Sequence, residues 1–142
     1  MTATAAADRL RPIPLFATCS DEQLEHVAAR ATERYFPTGH LLCEQDKAGG
    51  DFYIILTGRV KVYRDGRLVA TLGPGEFFGE IALVDRGKRT ATVVADMPVR
   101  CLTIGPDQFR ALLRENAEIA VQIMEAVAQR MRGLLAGYSS SL

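Results

Sequence analysis

The chain of 142 residues is long enough for one folded domain with a hydrophobic core, and we predict a single domain over residues 1–142. Hydrophobic residues make up 48% and charged residues 24% of the chain, which excludes a disordered chain and a fibre. The 17 Lys and Arg residues balance the 17 Asp and Glu residues, so no overall basic field is available to hold a nucleic acid. An anionic ligand would have to be bound by a local site.

Signals for export, membrane insertion and metal binding are weak. Residues 1–10 lack a basic start followed by an apolar run, and no uncharged apolar stretch approaches the ~18 residues of a membrane span. We therefore expect a cytoplasmic protein with no membrane segment. Cys19, Cys43 and Cys101 lie far apart, which favours reduced, mostly buried thiols. Two histidines cannot supply the clustered ligands of a metal-binding barrel, so we expect no metal.

The N-terminal zone, residues 1–32, has helical patterns. Ser20 is followed three positions later by Gln23, a capping-box arrangement that predicts the start of a helix. The apolar residues that follow share one helical face: Leu24, Val27 and Ala28. We expect a short amphipathic helix here.

The middle zone, residues 33–104, has strand patterns. Short apolar or alternating runs are separated by glycine-containing turns, as in residues 53–56, 60–63, 68–72, 91–95 and 99–104. Asp65-Gly66 stands between two of these runs and predicts a two-residue hairpin, because both central positions of that turn need positive φ. Many short strands with regular turns predict a sandwich or a barrel.

The C-terminal zone, residues 106–135, returns to helical patterns. Pro106 predicts a helix start, and Asn116 is placed to cap a second, longer helix. The apolar positions of that longer helix recur every three or four residues: Ile119, Ile123, Val127, Met131 and Leu134. Few residues follow Leu135, so we expect no pair of DNA-reading helices and no direct nucleic-acid contact.

The chemistry-bearing segment is the glycine-rich run 73–84 together with residues 89–93. The run leads into residues 80–83, long enough for one helical turn whose free N–H groups would point at Gly79 and form a small anion site. We expect Arg89 to begin a strand, and its guanidinium can donate two parallel hydrogen bonds to a phosphate. Glu80 would repel phosphate unless it faced a hydroxyl, so a phosphate beside a sugar hydroxyl suits both residues.

These residues, FGEIALV followed by RTATV, resemble the phosphate-binding cassette of cyclic nucleotide-binding domains. That family includes the catabolite activator protein, cyclic-nucleotide-gated channels and cyclic-nucleotide-dependent kinases. The resemblance places a cassette at residues 78–92 and implies a mainly β protein with flanking helices. The implied fold is an antiparallel eight-stranded β-roll, jelly-roll-like, with an N-terminal helical segment and C-terminal hinge and lid helices.

The resemblance also implies roles for individual residues. Glu80 would bind the ribose 2′-hydroxyl, and Arg89 would bind the cyclic phosphate. The further ligand contacts that it implies are Phe78, Gly79, Ile81, Ala82, Thr90 and Ala91. Family members for either base carry a hydroxyl residue at the position of Thr90, so this residue leaves the base undecided. The resemblance implies cAMP or cGMP as the ligand, and we lean towards cAMP.

Two positions depart from the family pattern. A turn that often reads Gly-Asp-x-Gly-Asp in the family is Asp-Lys-Ala-Gly-Gly-Asp at residues 46–51. Lys88 replaces a proline commonly found just before the arginine. These departures concern the turn and the cassette loop.

The last helix has three candidate residues for a lid over the base: Arg130, Met131 and Leu134. Arg130 has an alternative role, in which its aliphatic stem covers the barrel and its charge stays in water. The apolar stripe of the same helix could also pair with a second copy, so we expect a monomer or a weak homodimer.

The residues and the resemblance together favour a cyclic nucleotide sensor that performs no chemistry on its ligand and needs no cofactor. It would act on a separate effector protein or on a fused output domain. Two alternatives stay open: a β-barrel enzyme acting on a small phosphorylated ligand, and a structural relic that has lost its ligand. The enzyme is disfavoured because no nucleophile–base pair or metal set accompanies the cassette.

Overall fold

The computed structural model describes residues 3–79 and 87–135. Within these ranges the helices are α1 (Ala3–Leu10), α2 (Asp21–Arg30), α3 (Pro106–Glu115) and α4 (Ala117–Leu135), with a short 3-10 helix at Pro14–Phe16. The strands are β1 (Thr32–Phe36), β2 (Leu41–Cys43), β3 (Phe52–Thr57), β4 (Val60–Arg64), β5 (Arg67–Leu72), β6 (Phe77–Phe78), β7 (Thr92–Ala95) and β8 (Val99–Ile104). No helix of the described ranges is long and apolar enough to cross a membrane.

The strands form two antiparallel sheets of four strands each. The first sheet has the order β1-β8-β3-β6, and the second has the order β2-β7-β4-β5. Strands that are adjacent in sequence are often in different sheets, so the chain winds back and forth between them. The prediction of an antiparallel β-roll with flanking helices is confirmed.

Two local predictions are confirmed in their geometry. Asp65 and Gly66 have φ values of 52° and 78° and connect β4 to β5 as a two-residue turn. At the start of α2, the Gln23 N–H donates to Ser20 Oγ at 3.2 Å and the Ser20 N–H donates to Gln23 Oε1 at 2.8 Å. Each case depends on residues at most three positions apart in sequence, which is why it could be predicted without the fold.

The hydrophobic core has two parts. One lies between the two sheets and contains Phe36, Tyr53, Ile55, Val60, Phe78, Val93 and Cys101 among others. The other lies between the first sheet and the helices and includes Phe16, Leu24, Ile54, Phe109, Leu112, Ile119 and Ile123. Ile119 and Ile123 anchor the first half of α4 in this second part.

Two expectations need correction. Arg89 does not begin a strand, because β7 starts at Thr92 and the chain around Arg89 pairs instead with a loop. Asn116, expected to cap the second of the two C-terminal helices, instead donates a side-chain hydrogen bond to Leu112 O at 3.0 Å and so binds the end of α3. The expected helix start at Pro106 and the second helix after Asn116 are both present.

Candidate nucleotide site

A cavity of about 670 Å³ lies between the second sheet and the C-terminal part of α4. This size is typical of a small-molecule site. The second sheet contributes the apolar side chains of Val62, Val69, Leu72 and Val93, and β6 of the first sheet adds Phe78. The helix contributes Val127, Arg130 and Met131. The other polar side chains that line it are Arg64, Glu76, Arg89 and Thr90. An apolar wall beside several cations suits a ligand with a flat apolar part and an anionic part.

Main-chain hydrogen bonds fix the position of Arg89. The Asp46 N–H donates to Arg89 O, and the Arg89 N–H donates to Lys47 O, both at 2.9 Å. A β-bridge between Ala48 and Lys88 extends this pairing. The turn 46–51, which departs from the family pattern, therefore holds the residue expected to bind phosphate.

The Arg89 guanidinium is held by two main-chain carbonyls. Its Nη1 donates to Gly79 O at 2.9 Å, and its Nη2 donates to Asp51 O at 2.6 Å. Arg89 is only 5% exposed. An arginine carries five N–H donors in a planar fork, so donors remain for a ligand in the cavity.

Arg89 is a buried cation that has no paired carboxylate among the described residues. Among residues 3–79 and 87–135, no carboxylate oxygen lies within 4.0 Å of its guanidinium nitrogens. A buried charge is costly unless it is paired and hydrogen-bonded, and neutral carbonyls compensate it only in part. An anion in the cavity would therefore be strongly favoured next to this side chain.

Two glycines allow the guanidinium to sit where it does. Both have positive φ, +96° for Gly50 and +94° for Gly79. A Cβ atom at Gly50 would lie 2.4 Å from Arg89 Nη2, and one at Gly79 would lie 2.7 Å from Arg89 Nη1 and 2.7 Å from Asp51 O. A side chain at either position would push the guanidinium away, so both positions require glycine.

The helical side of the cavity is attached to the sheet through Arg130. Its guanidinium carbon lies 4.7 Å from the centre of the Phe77 ring, and Arg130 Nη2 donates to Phe77 O. A cation over an aromatic face contributes about 0.5–2 kcal/mol. Met131, the next residue, also lines the cavity and is 54% exposed. Both residues stand over the cavity from α4.

An aromatic stack and a hydrogen bond lie behind Phe78. The rings of Tyr53 and Phe78 stack with centres 4.7 Å apart and planes 8° from parallel. The Tyr53 hydroxyl donates to Leu42 O at 3.1 Å. Burial raises the pKa of Tyr53 to about 12, so this hydroxyl stays protonated as a donor over the physiological range. This stack fixes the strand β6 that leads into Gly79.

The structure brings most of the expected site residues together. Five of those expected to contact ligand line the cavity: Phe78, Gly79, Arg89, Thr90 and Ala91. Glu80, Ile81 and Ala82 lie outside the described residues. Of the lid candidates, Arg130 and Met131 line the cavity, and the side chain of Leu134 is outside the description.

Sequence reasoning missed several residues of this site. Gly50 and Asp51 act on Arg89 from 39 and 38 residues away. Their only sequence signal is the pair Gly49-Gly50 before an aspartate, which predicts a turn and nothing about its neighbour. Arg64 and Glu76 also line the cavity. Glu76 Oε2 accepts a 2.6 Å hydrogen bond from the Gly73 N–H and closes the glycine-rich turn.

Comparison with known proteins gives the class to which this fold and site belong. The model of the cyclic nucleotide-binding domain matches residues 33–116, more than half of the chain. The chain belongs to the cyclic nucleotide-binding domain family. It is 34% identical over 102 residues to a CRP-like cAMP-activated global transcriptional regulator of Mycobacterium tuberculosis, covering 68% of this chain and 46% of the regulator.

Two further relatives show how widely the likeness extends. The chain is 33% identical over 118 residues to isozyme 1 of the cGMP-dependent protein kinase of Drosophila melanogaster, covering 78% of this chain and 15% of the kinase. It superposes on the crystal structure of the Thermus thermophilus catabolite activator protein with a TM-score of 0.78 and 31% identity, covering 85% of this chain and 59% of that one. The chain thus spans about half of the transcriptional regulators that it matches.

Proposed function

We propose that the cavity binds a 3′,5′-cyclic nucleotide, with the cyclic phosphate on the Arg89 guanidinium. The observation that carries this proposal is that Arg89, only 5% exposed, lines a cavity and has no carboxylate of residues 3–79 and 87–135 within 4.0 Å of its guanidinium nitrogens. A cyclic phosphate has one negative charge and two outer oxygens, which matches the fork of an arginine. The apolar wall of Val62, Val69, Leu72 and Val93 would receive the flat base.

The cassette residues complete the proposed contacts. Gly79, Thr90 and Ala91 line the cavity beside Arg89 and would contact the phosphate or sugar. For Glu80, Ile81 and Ala82 the proposal depends on the family motif, which assigns Glu80 to the ribose 2′-hydroxyl and the others to main-chain contacts. The relatives are named for cAMP and for cGMP, so they favour a cyclic purine nucleotide of either kind.

The proposed output is movement of α4. Arg130 and Met131 stand over the cavity, so a ligand beneath them would favour positions of α4 that keep the cavity closed. A ligand shifts such an equilibrium only by the difference between its affinities for the two states. In this proposal the protein is a sensor that does no chemistry, and the position of α4 is read by a separate effector or a further domain.

Titration calorimetry tests the proposal. Purified protein, stripped of carried-over nucleotide, is titrated with cAMP, with cGMP and with 5′-AMP. 5′-AMP has the same base and sugar as cAMP, but its phosphate is not closed into a ring, so it is the matched control for cAMP. We expect binding of a cyclic form at micromolar concentration or tighter, and much weaker binding of 5′-AMP. A folded protein that binds no cyclic nucleotide would contradict the proposal.

A further inference from the structure

Of the arginines that line the cavity, Arg64 has no role in the proposed function. Arg64, the last residue of β4, is half-buried and lines the cavity together with Thr90. Its Nε donates to Thr90 O at 3.3 Å. In the described part of the chain, no carboxylate oxygen lies within 4.0 Å of its guanidinium nitrogens. Within residues 3–79 and 87–135, Arg64 therefore has no paired carboxylate to hold it away from a ligand.

The position of Arg64 is fixed by the tip of its hairpin. The next residue, Asp65, is bound on both sides by Gln45: the Asp65 N–H donates to Gln45 Oε1 at 2.9 Å, and Gln45 Nε2 donates to Asp65 Oδ1 at 2.8 Å. The Gln45 N–H in turn donates to Thr92 Oγ1 at 3.0 Å, at the start of β7. The Arg64 main chain is thus tied to the strand that follows Thr90. In the described part of the chain, the two terminal nitrogens of Arg64 have no hydrogen-bond partner, so they can donate to a ligand.

The other charged side chains of the cavity have protein partners. Arg130 is bound to Phe77, and Glu76 accepts from the Gly73 N–H. Arg89 is held by two carbonyls and is assigned to the phosphate in the proposed function. Arg64 lies near Arg89 on the wall of the cavity. Its Nε is hydrogen-bonded to the main-chain carbonyl of Thr90, the residue that follows Arg89. It presents donors and no acceptor.

The edges of the two purines differ in what they offer an arginine. Guanine presents two acceptors side by side, O6 and N7, which an arginine fork binds in a bidentate manner. Adenine presents N7 beside an amino group, which is a donor and opposes a second N–H. We infer that Arg64 reads the purine edge of the ligand and favours guanine over adenine. This inference rests on the proposed function and replaces the lean towards cAMP that the family resemblance suggested.

The test compares three cyclic nucleotides on two proteins. Dissociation constants for cGMP, cAMP and cyclic IMP are measured on the nucleotide-stripped full chain and on Arg64→Gln. Cyclic IMP keeps O6 and N7 but lacks the 2-amino group of guanine. We expect the wild type to favour cGMP over cAMP by about 5- to 150-fold, with cyclic IMP close to cGMP. Arg64→Gln should lose or reverse this preference, because glutamine offers the donor and acceptor that pair with adenine.

Arg67→Gln is the matched control. Arg67 pairs with Arg64 across the hairpin, is exposed, and is absent from the lining of the cavity. Arg67→Gln also removes one positive charge from this turn, so its ratio of the cGMP and cAMP dissociation constants should equal that of the wild type. A wild type that prefers cAMP, an unchanged ratio in Arg64→Gln, or cyclic IMP that behaves like cAMP would each overturn the inference and leave the proposed function in place. Failure of every cyclic nucleotide to bind the wild type would overturn both.

Discussion

Arg89 Nη2 donates a 2.6 Å hydrogen bond to the main-chain carbonyl of Asp51, 38 residues earlier in the chain. The bond joins the end of the turn 46–51 to the residue that we assign to the phosphate. A ligand on Arg89 would therefore act on this turn as well as on the cassette.

The first prediction concerns the charge itself. Arg89→Ala should weaken binding of a cyclic nucleotide by about 2–4 kcal/mol, or ~30- to 1000-fold, since it removes a charge-assisted contact to a buried anion. Calorimetry on the variant and the wild type measures the difference. Arg59→Ala, which removes an exposed arginine paired with Asp96, is the control and should bind as the wild type does. Equal affinity in Arg89→Ala would mean that the phosphate is bound elsewhere.

The second prediction concerns the glycine beside the guanidinium. Gly50→Ala places a Cβ atom 2.4 Å from Arg89 Nη2, so the guanidinium must shift and affinity should fall about tenfold or more. Gly49→Ala is a close control, because Gly49 also has a positive φ, +79°, but its Cβ would meet nothing within 4 Å.

Both alanine variants should lose a similar ~1 kcal/mol of the free energy of unfolding, owing to the strained backbone conformation. Denaturant unfolding and nucleotide titration of the two proteins separate the effects. If Gly49→Ala and Gly50→Ala lose affinity to the same extent, the loss comes from the turn and not from Arg89.

A third prediction addresses the attachment of α4. Arg130→Gln removes the charge over the Phe77 ring, so α4 should be held less firmly and the ligand should bind about 2- to 30-fold more weakly. Hydrogen exchange of α4, with and without ligand, reports the change directly. Arg132→Gln on the same helix is the control, because Arg132 is exposed and does not line the cavity. Identical exchange in the two variants would show that the charge of Arg130 does not hold α4, and would leave only the packing of its aliphatic stem on the barrel.

A fourth prediction concerns acid stability at the N-terminal helix. Arg9 Nη2 donates to Glu33 Oε1 at 2.7 Å, and this hydrogen bond lowers the pKa of the Glu33 carboxyl below its ordinary value. The charged carboxylate is favoured in the folded state, so its contribution is complete above the pKa of the unfolded chain. That contribution is lost as the pH falls through the lower folded pKa.

The free energy of unfolding of Glu33→Gln should accordingly fall less steeply with acid than that of the wild type, below about pH 4.5. Unfolding by denaturant over a series of pH values measures these slopes. Glu22→Gln, at an exposed position on α2, should keep the wild-type slope. Because Arg100 Nε also lies 3.0 Å from Glu33 Oε1, equal slopes for Glu33→Gln and the wild type would show that neither arginine contact persists in solution.

Local sequence signals predicted much of the fold. The capping box at Ser20 and the turn at Asp65-Gly66 were read correctly because their partners are at most three residues apart. The expected strand start at Arg89 was wrong, because the partner of that segment is the loop 46–48 and not a strand of the sheet. Pairing between distant segments leaves little trace in either segment alone.

The candidate site was predictable to a similar degree. Arg89 and Thr90 were found from the motif, and they line the cavity. The support of Arg89 by Gly50 and Asp51 could not be read, because it needs the distance between two loops of the folded chain. The same holds for Arg64, which an alternating strand pattern places on a hairpin without showing that it lines the cavity.

The most direct test of the central claim is a crystal structure of the protein with a bound cyclic nucleotide. We predict that an outer phosphate oxygen lies at hydrogen-bond distance, about 2.7–3.1 Å, from a nitrogen of Arg89, while the bonds from Arg89 to Gly79 and Asp51 persist. A nucleotide bound with its phosphate away from Arg89, or outside this cavity, would contradict the account.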